Sequence, residues 1–392
     1  MVVGRGLLKA TSALPLVLAA LAGSLAATPA GANCVTAGSV TYCGTTAPNP
    51  YTQTVGTGRL DHNRTVNVAT GASIRVTNRN GISLGNNAWI TLAAGSLVRT
   101  DATTGSGLYG TGPQPIEFNS NGILVVGAGA QVISRGTQGQ AEAVNVHGFG
   151  NRIENRGLIS GQASAAIWFE DETTGAKNVV DNYGTIEQIN GATVIGTSGG
   201  SGIDFHNRTG AEVDGSLRFA GGDDSLYFYA GSTVTGAIDG GAGNNTLVLE
   251  GAAGTSDTLA GALANFQTLT KQGLGRWTIT GTLTGFQSTT VTEGTLALTG
   301  DNAGPIAGVL IDPLGTLVAR AQSLPTQTDP TSNSDNIRNN GRLRFAQSDD
   351  GVYVGQIVGL REAQPPVVAD VVEIARRIGP GRKALGACLE AA

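Results

Sequence analysis

Hydrophobic and polar residues alternate in short runs along most of the chain. Clear examples are Ser73–Val76 (SIRV), Ala88–Leu92 (AWITL), Gly122–Val126 (GILVV) and Thr246–Leu249 (TLVL). A period of two predicts strands with one buried face, and the β-branched residues in these runs favour the same structure. No convincing helical pattern separates the strands before residue 366, which argues against alternating βαβ units. The pattern therefore predicts an all-β protein.

Asparagine stands one to three positions before glycine where several of these strands begin. The corners are Asn155–Gly157, Asn182–Gly184, Asn207–Gly210 and Asn339–Gly341, and the first three are spaced by 27 and 25 residues. A β-sandwich needs frequent turns but no such longer repeat, whereas a solenoid repeats with a period in the twenties. The repeat therefore favours a solenoid over a sandwich.

The specific prediction is a right-handed parallel β-helix with a C-terminal cap and a short tail. At about 20 to 25 residues per turn and about 4.8 Å between strands, it would have about 12 to 15 turns and measure about 60 to 70 Å. The hand follows the general preference for right-handed parallel crossovers. We expect Ile186 to point inward.

Two sets of corner residues carry further expectations. Corner asparagines in such a coil can bond one another and the backbone, which gives Asn78, Asn155, Asn182 and Asn207 a stabilising role without a ligand. The recurrence of His62–Thr65 (HNRT) as His206–Thr209 predicts one corner built twice.

Composition strengthens the all-β prediction and limits the possible partners. The chain has 60 glycines but only 14% charged and 5% aromatic residues, which is unlike an ordinary α/β enzyme and suits strands joined by tight turns. Residues 1–32 have the form of a signal peptide, with a small-residue cleavage site at Ala30–Ala32; a membrane anchor is the alternative. The remaining residues contain 22 basic and 29 acidic side chains, a net charge of −7, so no nucleic-acid partner is expected.

The cysteines fit an exported chain. Cys34 and Cys43 are close in sequence and predict a disulfide near the mature N-terminus, with two free thiols as the alternative. Cys388 is left over near the end of the sequence.

Two serines match the G-x-S-x-G pattern of serine hydrolases. They are Ser198 in Gly196–Gly200 and Ser83 in Gly81–Gly85. A nucleophilic serine needs a sharp strand-to-helix turn and a histidine, for which His62 and His147 are the candidates that precede Ser198. All of these residues lie in repeat-like sequence rich in glycine, so we predict no catalytic residue.

Other polar groups are also expected to be structural. The turns at Asp224 and Asn245 resemble calcium-binding nonapeptides, but the second lacks the acid, so two equivalent turns are expected and no metal or cofactor site. The acids Glu170–Glu172 and Asp349–Asp350 could form the carboxyl pair of a polysaccharide hydrolase or lyase, although solvated loops are expected. A last set, expected to pack rather than to bind sugar, comprises Trp89, Trp168 and Trp277.

One segment near the C-terminus resembles a known family. Lys271–Gly281 (KQGLGRWTITG), followed by Thr289–Gly300 (TTVTEGTLALTG), resembles the passenger-associated transport repeat of autotransporters, the type V secreted proteins of Gram-negative bacteria. Asn339–Gln347 with Val352–Gly355 resembles the C-terminal cap of their passengers, and Phe205–Gly251 resembles the preceding turns more loosely.

The resemblance implies a division of the chain. It consists of a signal peptide (1–32), a β-helical passenger (33–265), the transport repeat (266–300), the cap (301–357) and a tail (358–392). A translocating β-barrel needs at least eight strands of about 10 residues, and only 35 residues follow Ile357. We expect a shifted reading frame near residue 358; the alternative is a passenger-like protein that works without its own barrel.

The resemblance implies an exported, adhesin-like protein whose partners are host or cell-surface macromolecules. We expect it at the cell surface, or secreted, if a barrel is supplied, and otherwise in the periplasm. The alternative is a β-helix enzyme acting on acidic polysaccharide.

Overall fold

The structure, a computed structural model, describes most of the chain. It covers residues 33–103, 112–137, 139–170, 175–190, 193–299, 306–325, 337–346, 353 and 357–359. The expected signal peptide, the tail from residue 360 with Cys388, and the acids Asp171, Glu172, Asp349 and Asp350 lie outside these residues.

The described chain is built from 33 short or medium strands. In chain order they are β1 (Cys34–Ala37), β2 (Val40–Cys43), β3 (Thr65–Val68), β4 (Ser73–Thr77), β5 (Ile82–Ser83), β6 (Trp89–Leu92), β7 (Leu97–Asp101), β8 (Ile116–Phe118), β9 (Ile123–Val126), β10 (Gln131–Ser134), β11 (Val144–His147), β12 (Arg152–Asn155), β13 (Leu158–Gly161), β14 (Ile167–Glu170), β15 (Asn178–Asn182), β16 (Thr185–Gln188), β17 (Thr193–Thr197), β18 (Ile203–Asn207), β19 (Glu212–Asp214), β20 (Ser216–Arg218), β21 (Ser225–Tyr229), β22 (Thr233–Val234), β23 (Ile238–Asp239), β24 (Thr246–Glu250), β25 (Ser256–Leu259), β26 (Leu263–Ala264), β27 (Thr268–Gln272), β28 (Arg276–Ile279), β29 (Ser288–Leu298), β30 (Val309–Ala319), β31 (Ile337–Asn339), β32 (Arg342–Phe345) and β33 (Ile357–Val358).

These strands stack as a β-solenoid of about 12 turns, which confirms the predicted parallel coil. Sheet B contains β4, β7, β10, β13, β16, β19 and β22; sheet C contains β5, β8, β11, β14, β17, β20, β23 and β26; the remaining strands form sheet A. The pairings are parallel except for the antiparallel β1–β2 hairpin. The right-handed sense of the coil stays a prediction.

The core is a set of inward columns that run from turn to turn. In sheet A the partners in one column are Val66, Ile90, Leu124, Ile153, Val180, Phe205, Leu226, Leu247 and Leu269. Each is almost fully buried. Ile186 is also fully buried and pairs with Ile159 and Val213, which confirms its inward position.

Three of the predicted asparagines form a buried ladder where sheet A turns toward sheet B. Asn155 Nδ2 donates to Asn182 Oδ1, and Asn182 Nδ2 donates to Asn207 Oδ1, each at 2.9 Å. The Oδ1 atoms of Asn155 and Asn182 also accept the backbone N–H of Gly157 and Gly184. The ladder was predicted from the Asn-to-Gly spacing and is confirmed for these three residues.

Asn78 is the exception. It lies after β4, at the turn toward sheet C, with a positive φ of 52°, and its Oδ1 accepts the backbone N–H of Thr103 at 2.8 Å. The backbone bond was expected, but Asn78 does not belong to the ladder.

A second polar ladder lies where sheet C turns back into sheet A. Side-chain oxygens there accept a backbone N–H from the preceding turn: Asn151 from Gly122, Asn178 from Asn151, Asp224 from Ile203, Asn245 from Asp224 and Gln267 from Asn245. The donor–acceptor distances are 2.6 to 3.0 Å. Side chains therefore join consecutive turns from Gly122 to Asn178 and again from Ile203 to Gln267, and between these two runs the Asn178 N–H donates to the backbone carbonyl of Gly202.

The predicted equivalence of the two HNRT stretches is wrong. His62 and Asn63 precede β3, and Asn63 has a positive φ of 57° and is exposed, whereas His206 and Asn207 end β18 and Asn207 is fully buried. The same tetrapeptide therefore occurs at two different corners of the coil. Its residues are buried at only one of them, because burial depends on the segments that pack over a corner.

The N-terminal end of the coil is covered. Cys34 and Cys43, which are paired in the β1–β2 hairpin, form the predicted disulfide. Tyr51 then pairs with Ile74 of sheet B, and Val55 pairs with Ile82 of sheet C. These contacts cover strand edges that would otherwise be open to pairing with another chain.

The segment that resembles the transport repeat continues the coil. β27 and β28 pair with β29, which pairs with β30. Lys271 is fully buried, and its Nζ donates to the carbonyls of Gln272, Gly273 and Glu293 at 2.8, 2.6 and 3.2 Å. Trp277 is buried and its Nε1 donates to the carbonyl of Glu250. Burial lowers the pKa of Lys271 to about 8.

The described strands of the expected cap extend sheet A, since β30 pairs with β31 and β32, and β31 pairs with β33. No helix in the described ranges is long and apolar enough to cross a membrane.

Candidate functional site

The outer face of sheet C carries an unusual group of buried polar side chains. Ser83, Glu117 and Asn145 are register partners in one outward column, and His147 and Glu170 are partners in the next. We call these five residues the sheet C cluster. Ser83, Glu117 and Asn145 are fully buried and His147 is 3% exposed.

The alternation of the strands places these side chains outside the core. In β8, Ile116 and Phe118 belong to the hydrophobic core, so Glu117 between them points to the opposite face. A neighbouring segment covers that face, because the backbone N–H of Gly58 donates to the carbonyl of Ser83 and the Arg59 side chain reaches across to Asn119. The outward position of Glu117, which would normally be exposed to solvent, is therefore enclosed.

Glu117 is held with one oxygen engaged. Ser83 Oγ donates to its Oε1, and its Oε2 has no hydrogen-bond partner among the described atoms. Burial raises the pKa of Glu117, although the Ser83 hydrogen bond and the charges of His147 and Arg59 act against it. Glu117 is thus biased toward the neutral acid.

His147 lies between an arginine and a second carboxylate. Its Nδ1 is 2.7 Å from Arg59 Nη2 and 3.2 Å from Glu170 Oε2. The hydrogen bond from His147 lowers the pKa of Glu170 despite partial burial. Its Nε2 is buried without a partner in the described part of the chain.

A third carboxylate completes the surroundings. Glu142 is nearly buried and accepts from Ser164 Oγ at 2.6 Å and from Gln114 Nε2 at 3.4 Å. Asn145 Nδ2 links it to the cluster, since it lies 3.4 Å from both Glu142 Oε2 and Glu170 Oε1.

This arrangement has the elements of acid–base chemistry. Glu117 and Glu170 have pKa values displaced in opposite directions, which is how two carboxyl groups take the roles of acid and base. Glu117 is wholly covered, so a substrate could reach it only after the covering segment moves. Within the described residues, no group of three or more His, Cys, Asp or Glu side chains is arranged to hold a metal ion.

Three members of the cluster carry sequence patterns of their own: Ser83 matches a serine-hydrolase motif, His147 precedes Ser198 as a candidate histidine, and Glu170 begins an acidic stretch. The loop expected at Glu170 is wrong, because Glu170 ends β14, and the fold brings all three residues to one face. Arg59, Glu117 and Asn145 were missed. Glu117 sits in an ordinary alternating strand, and nothing in the sequence shows that its outward face is covered.

Among the described residues, no hydrogen bond joins the Ser198 side chain to the cluster, although Ser198 follows β17, whose Thr197 pairs with Phe169 next to Glu170. Ser198 is exposed, and its backbone N–H donates to the carbonyl of Phe169 at 3.0 Å. None of the contacts of the described residues joins it to His62 or His147.

The two glycine-rich turns are equivalent corners one turn apart, as predicted. The backbone N–H of Ala242 donates to the carbonyl of Ala220, and that of Asn244 donates to Asp223 Oδ1, both at 2.8 Å. Asp223 Oδ1 and Asp224 Oδ1 are thus engaged with backbone donors of neighbouring turns.

The tryptophans differ in their surroundings. Trp277 packs in the core as predicted, and half-buried Trp168 lies against Gly196. Trp89 does not fit the packing prediction, because it is 50% exposed on the outer face of sheet A, where its Nε1 donates to Thr91 Oγ1.

No protein-family model, curated protein or solved structure matches the chain. The function is therefore argued from the residues of the chain.

Proposed function

We propose that the protein is an exported β-helical passenger of the autotransporter type, an adhesin-like rod that binds macromolecules at a cell surface. The proposal draws on the signal-peptide-like residues 1–32, the disulfide between Cys34 and Cys43, and the resemblance of residues 266–300 to the transport repeat. Disulfides are typical of exported proteins.

The observation that carries the binding role is the long outer face of sheet A. It presents aromatic side chains at the surface, with Tyr42 and Trp89 each 50% exposed and Tyr183 38% exposed. Aromatic residues are enriched at the centres of protein interfaces. A parallel sheet several turns long suits an extended partner better than a small molecule.

Charged groups accompany these aromatic residues on the same face. The Arg156 guanidinium lies 4.2 Å from the centroid of the Tyr183 ring, and Arg208 lies 4.6 Å from that of Tyr229. Such a mixed aromatic and charged face gives directional contacts to a polar macromolecule.

The test is adhesion of the purified full chain. Beads coated with it are allowed to bind a panel of surfaces bearing defined polysaccharides and matrix proteins, and detachment under flow is measured. The variant Tyr42→Ser/Trp89→Ser should detach more readily from any surface that the wild type holds. The matched control is Ile189→Ser/Leu274→Ser, which removes apolar side chains that are 50% and 56% exposed elsewhere. Equal detachment of both variants, or no bound surface, would contradict the proposal.

A second candidate is an enzyme acting on acidic polysaccharide, and the opposed pKa shifts of Glu117 and Glu170 favour it. The same polysaccharides, incubated with the full chain and sized by light scattering, distinguish the two. Shortened polymers with wild type and intact polymers with Glu170→Gln would support the enzyme.

A further inference from the structure

The segment that covers the sheet C cluster is tied down through two histidines. Residues 55–63, which we call the strap, run from the pairing of Val55 with Ile82 to the bond from the Asn63 N–H to the Asn86 carbonyl. Leu60 at its middle is 84% exposed. The strap therefore lies over β5 and the Ser83 side of the cluster.

The first tie joins the strap to His147. Arg59 Nη2 lies 2.7 Å from His147 Nδ1, and since a guanidinium only donates, the imidazole nitrogen must accept. The same Nδ1 is 3.2 Å from Glu170 Oε2, which can only accept when ionised. One ring nitrogen cannot do both at once. It accepts from Arg59 when it has a free lone pair and donates to Glu170 when it carries hydrogen, as it always does in the protonated ring.

The second tie uses a histidine on the strap itself. The backbone N–H of Asn86 donates to His62 Nδ1 at 2.9 Å, which again requires a lone pair on that nitrogen. A protonated imidazole carries hydrogen on both nitrogens and cannot accept this bond. Two side-chain ties of the strap thus exist only with neutral histidine.

We propose that residues 55–63 form an acid-released strap, which opens over the sheet C cluster when His62 and His147 become protonated. Protonation of His147 turns its Nδ1 toward Glu170 and sets two cations, imidazolium and guanidinium, side by side. Protonation of His62 removes the acceptor for Asn86. Both events favour the open strap. The two bonds exist only in the closed form, so their loss on protonation destabilises the closed form alone.

The surrounding charges allow this exchange. His147 faces Arg59 from the strap, Glu117 from β8 and Glu170 from β14. Glu170 receives the bond when Arg59 leaves. His62 has Asp61 and Arg64 beside it on its own segment, and these two already pair at 3.1 Å.

Other hydrogen bonds also hold the strap, and among them Asn119 Nδ2 donates to the Arg59 carbonyl at 3.3 Å. In the middle of the strap, the Gly58 N–H donates to the Ser83 carbonyl and the Gly85 N–H donates to the Asp61 carbonyl, at 3.0 and 2.9 Å. Arg59 Nε lies 3.3 Å from Asn119 Oδ1. Opening exposes Ser83 and Glu117, so access to the buried acid would depend on pH.

Hydrogen exchange of the full chain, read by mass spectrometry, tests this directly. Wild type and His62→Asn/His147→Asn are compared with each other near pH 8 and again near pH 5. Asparagine can accept both bonds and cannot be protonated. Near pH 5 we expect peptides from residues 55–63 to exchange at least about tenfold faster in wild type than in the variant, with equal rates near pH 8.

Two comparisons keep the outcome interpretable. His206→Asn changes a histidine on sheet A whose Nδ1 lies near Tyr229 Oη, and it should behave as wild type. Unchanged exchange in residues 178–188 establishes that the coil is intact. If the double variant changes the exchange of these residues, the single variant His147→Gln is used in its place. Equal strap exchange in wild type and a folded variant near pH 5 would overturn the proposal.

Discussion

Asp224 and Asn245 occupy the same corner position on successive turns, and Asn245 Oδ1 accepts the backbone N–H of Asp224 at 2.8 Å. Asn245 uses its Nδ2 to bond the carbonyls of Gly240 and Asn265. Asp224 has an oxygen in place of that donor, and its Oδ2 is buried without a partner among the described atoms. Asparagine therefore fits this corner better than ionised aspartate does.

Replacing Asp224 by Asn should stabilise the protein at neutral and alkaline pH. Burial raises the pKa of Asp224 to about 7, well above its ordinary value. The folded state then binds a proton that the unfolded state has lost, so the contribution of Asp224 to stability falls as the pH rises from about 4 to about 7. We expect Asp224→Asn to gain about 2 to 4 kcal/mol near pH 8 and to lack this slope, measured by urea unfolding.

The neighbouring exposed Asp223 supplies the control for that experiment. Asp223→Asn should keep most of the wild-type dependence of stability on pH between pH 4 and 7. If Asp224→Asn retained the same pH slope as wild type, the assignment of the buried acid would be wrong.

The asparagine ladder should contribute several kcal/mol. Asn182→Leu has a similar volume but removes the acceptor of Asn155 Nδ2 and the Gly184 N–H, and the donor to Asn207 Oδ1. Unsatisfied buried groups cost about 1 to 3 kcal/mol each, so we expect a loss of about 3 to 5 kcal/mol. Chemical denaturation measures it. Asn190→Leu, on the same turn but exposed, should cost less than about 0.5 kcal/mol; similar losses at both sites would refute the ladder's role.

Inward isoleucines should be essential to the coil. Ile186→Asp places a carboxylate in a fully buried position between Ile159 and Val213, and we expect a loss above about 4 kcal/mol or failure to fold. Ile189→Asp, at a site 50% exposed, is the control. Unchanged thermal unfolding of Ile186→Asp would contradict its placement.

Lys271 should make stability rise in alkaline solution. Its folded pKa of about 8 lies below the ordinary value near 10.4, so between these values the unfolded state binds more protons and stability increases with pH. The gain should reach at most about 3 kcal/mol and be missing in Lys271→Met. Subtracting the two urea-unfolding profiles cancels other titrating groups, including Tyr229. Parallel profiles from pH 8 to 10.5 would show that the amine is not desolvated.

The sequence allowed the coil to be predicted because its signals are local and repeated. Alternating strands and the spacing of Asn155, Asn182 and Asn207 follow from a backbone that returns to the same corner on each turn. The sheet C cluster was not predictable in this way. Ser83, Glu117 and Asn145 come from successive turns of unequal length, and their burial depends on a strap that belongs to another part of the chain.

The two histidine tetrapeptides show the same limit. His62–Thr65 and His206–Thr209 are identical in sequence, yet one lies in the exposed strap region and the other ends a buried ladder. The local amino-acid sequence specifies the geometry of a turn, whereas the burial of the turn depends on the segments that pack over it.

Export and display of the folded coil are the most direct test of the proposed passenger role. The full chain would be joined to the β-barrel of a characterised autotransporter in a Gram-negative host, and intact cells treated with protease. We predict that the chain is removed from the cell surface, that its N-terminus begins near Asn33, and that Ile186→Asp reduces the displayed amount. A chain that keeps residues 1–32 and stays protected inside intact cells would contradict the account.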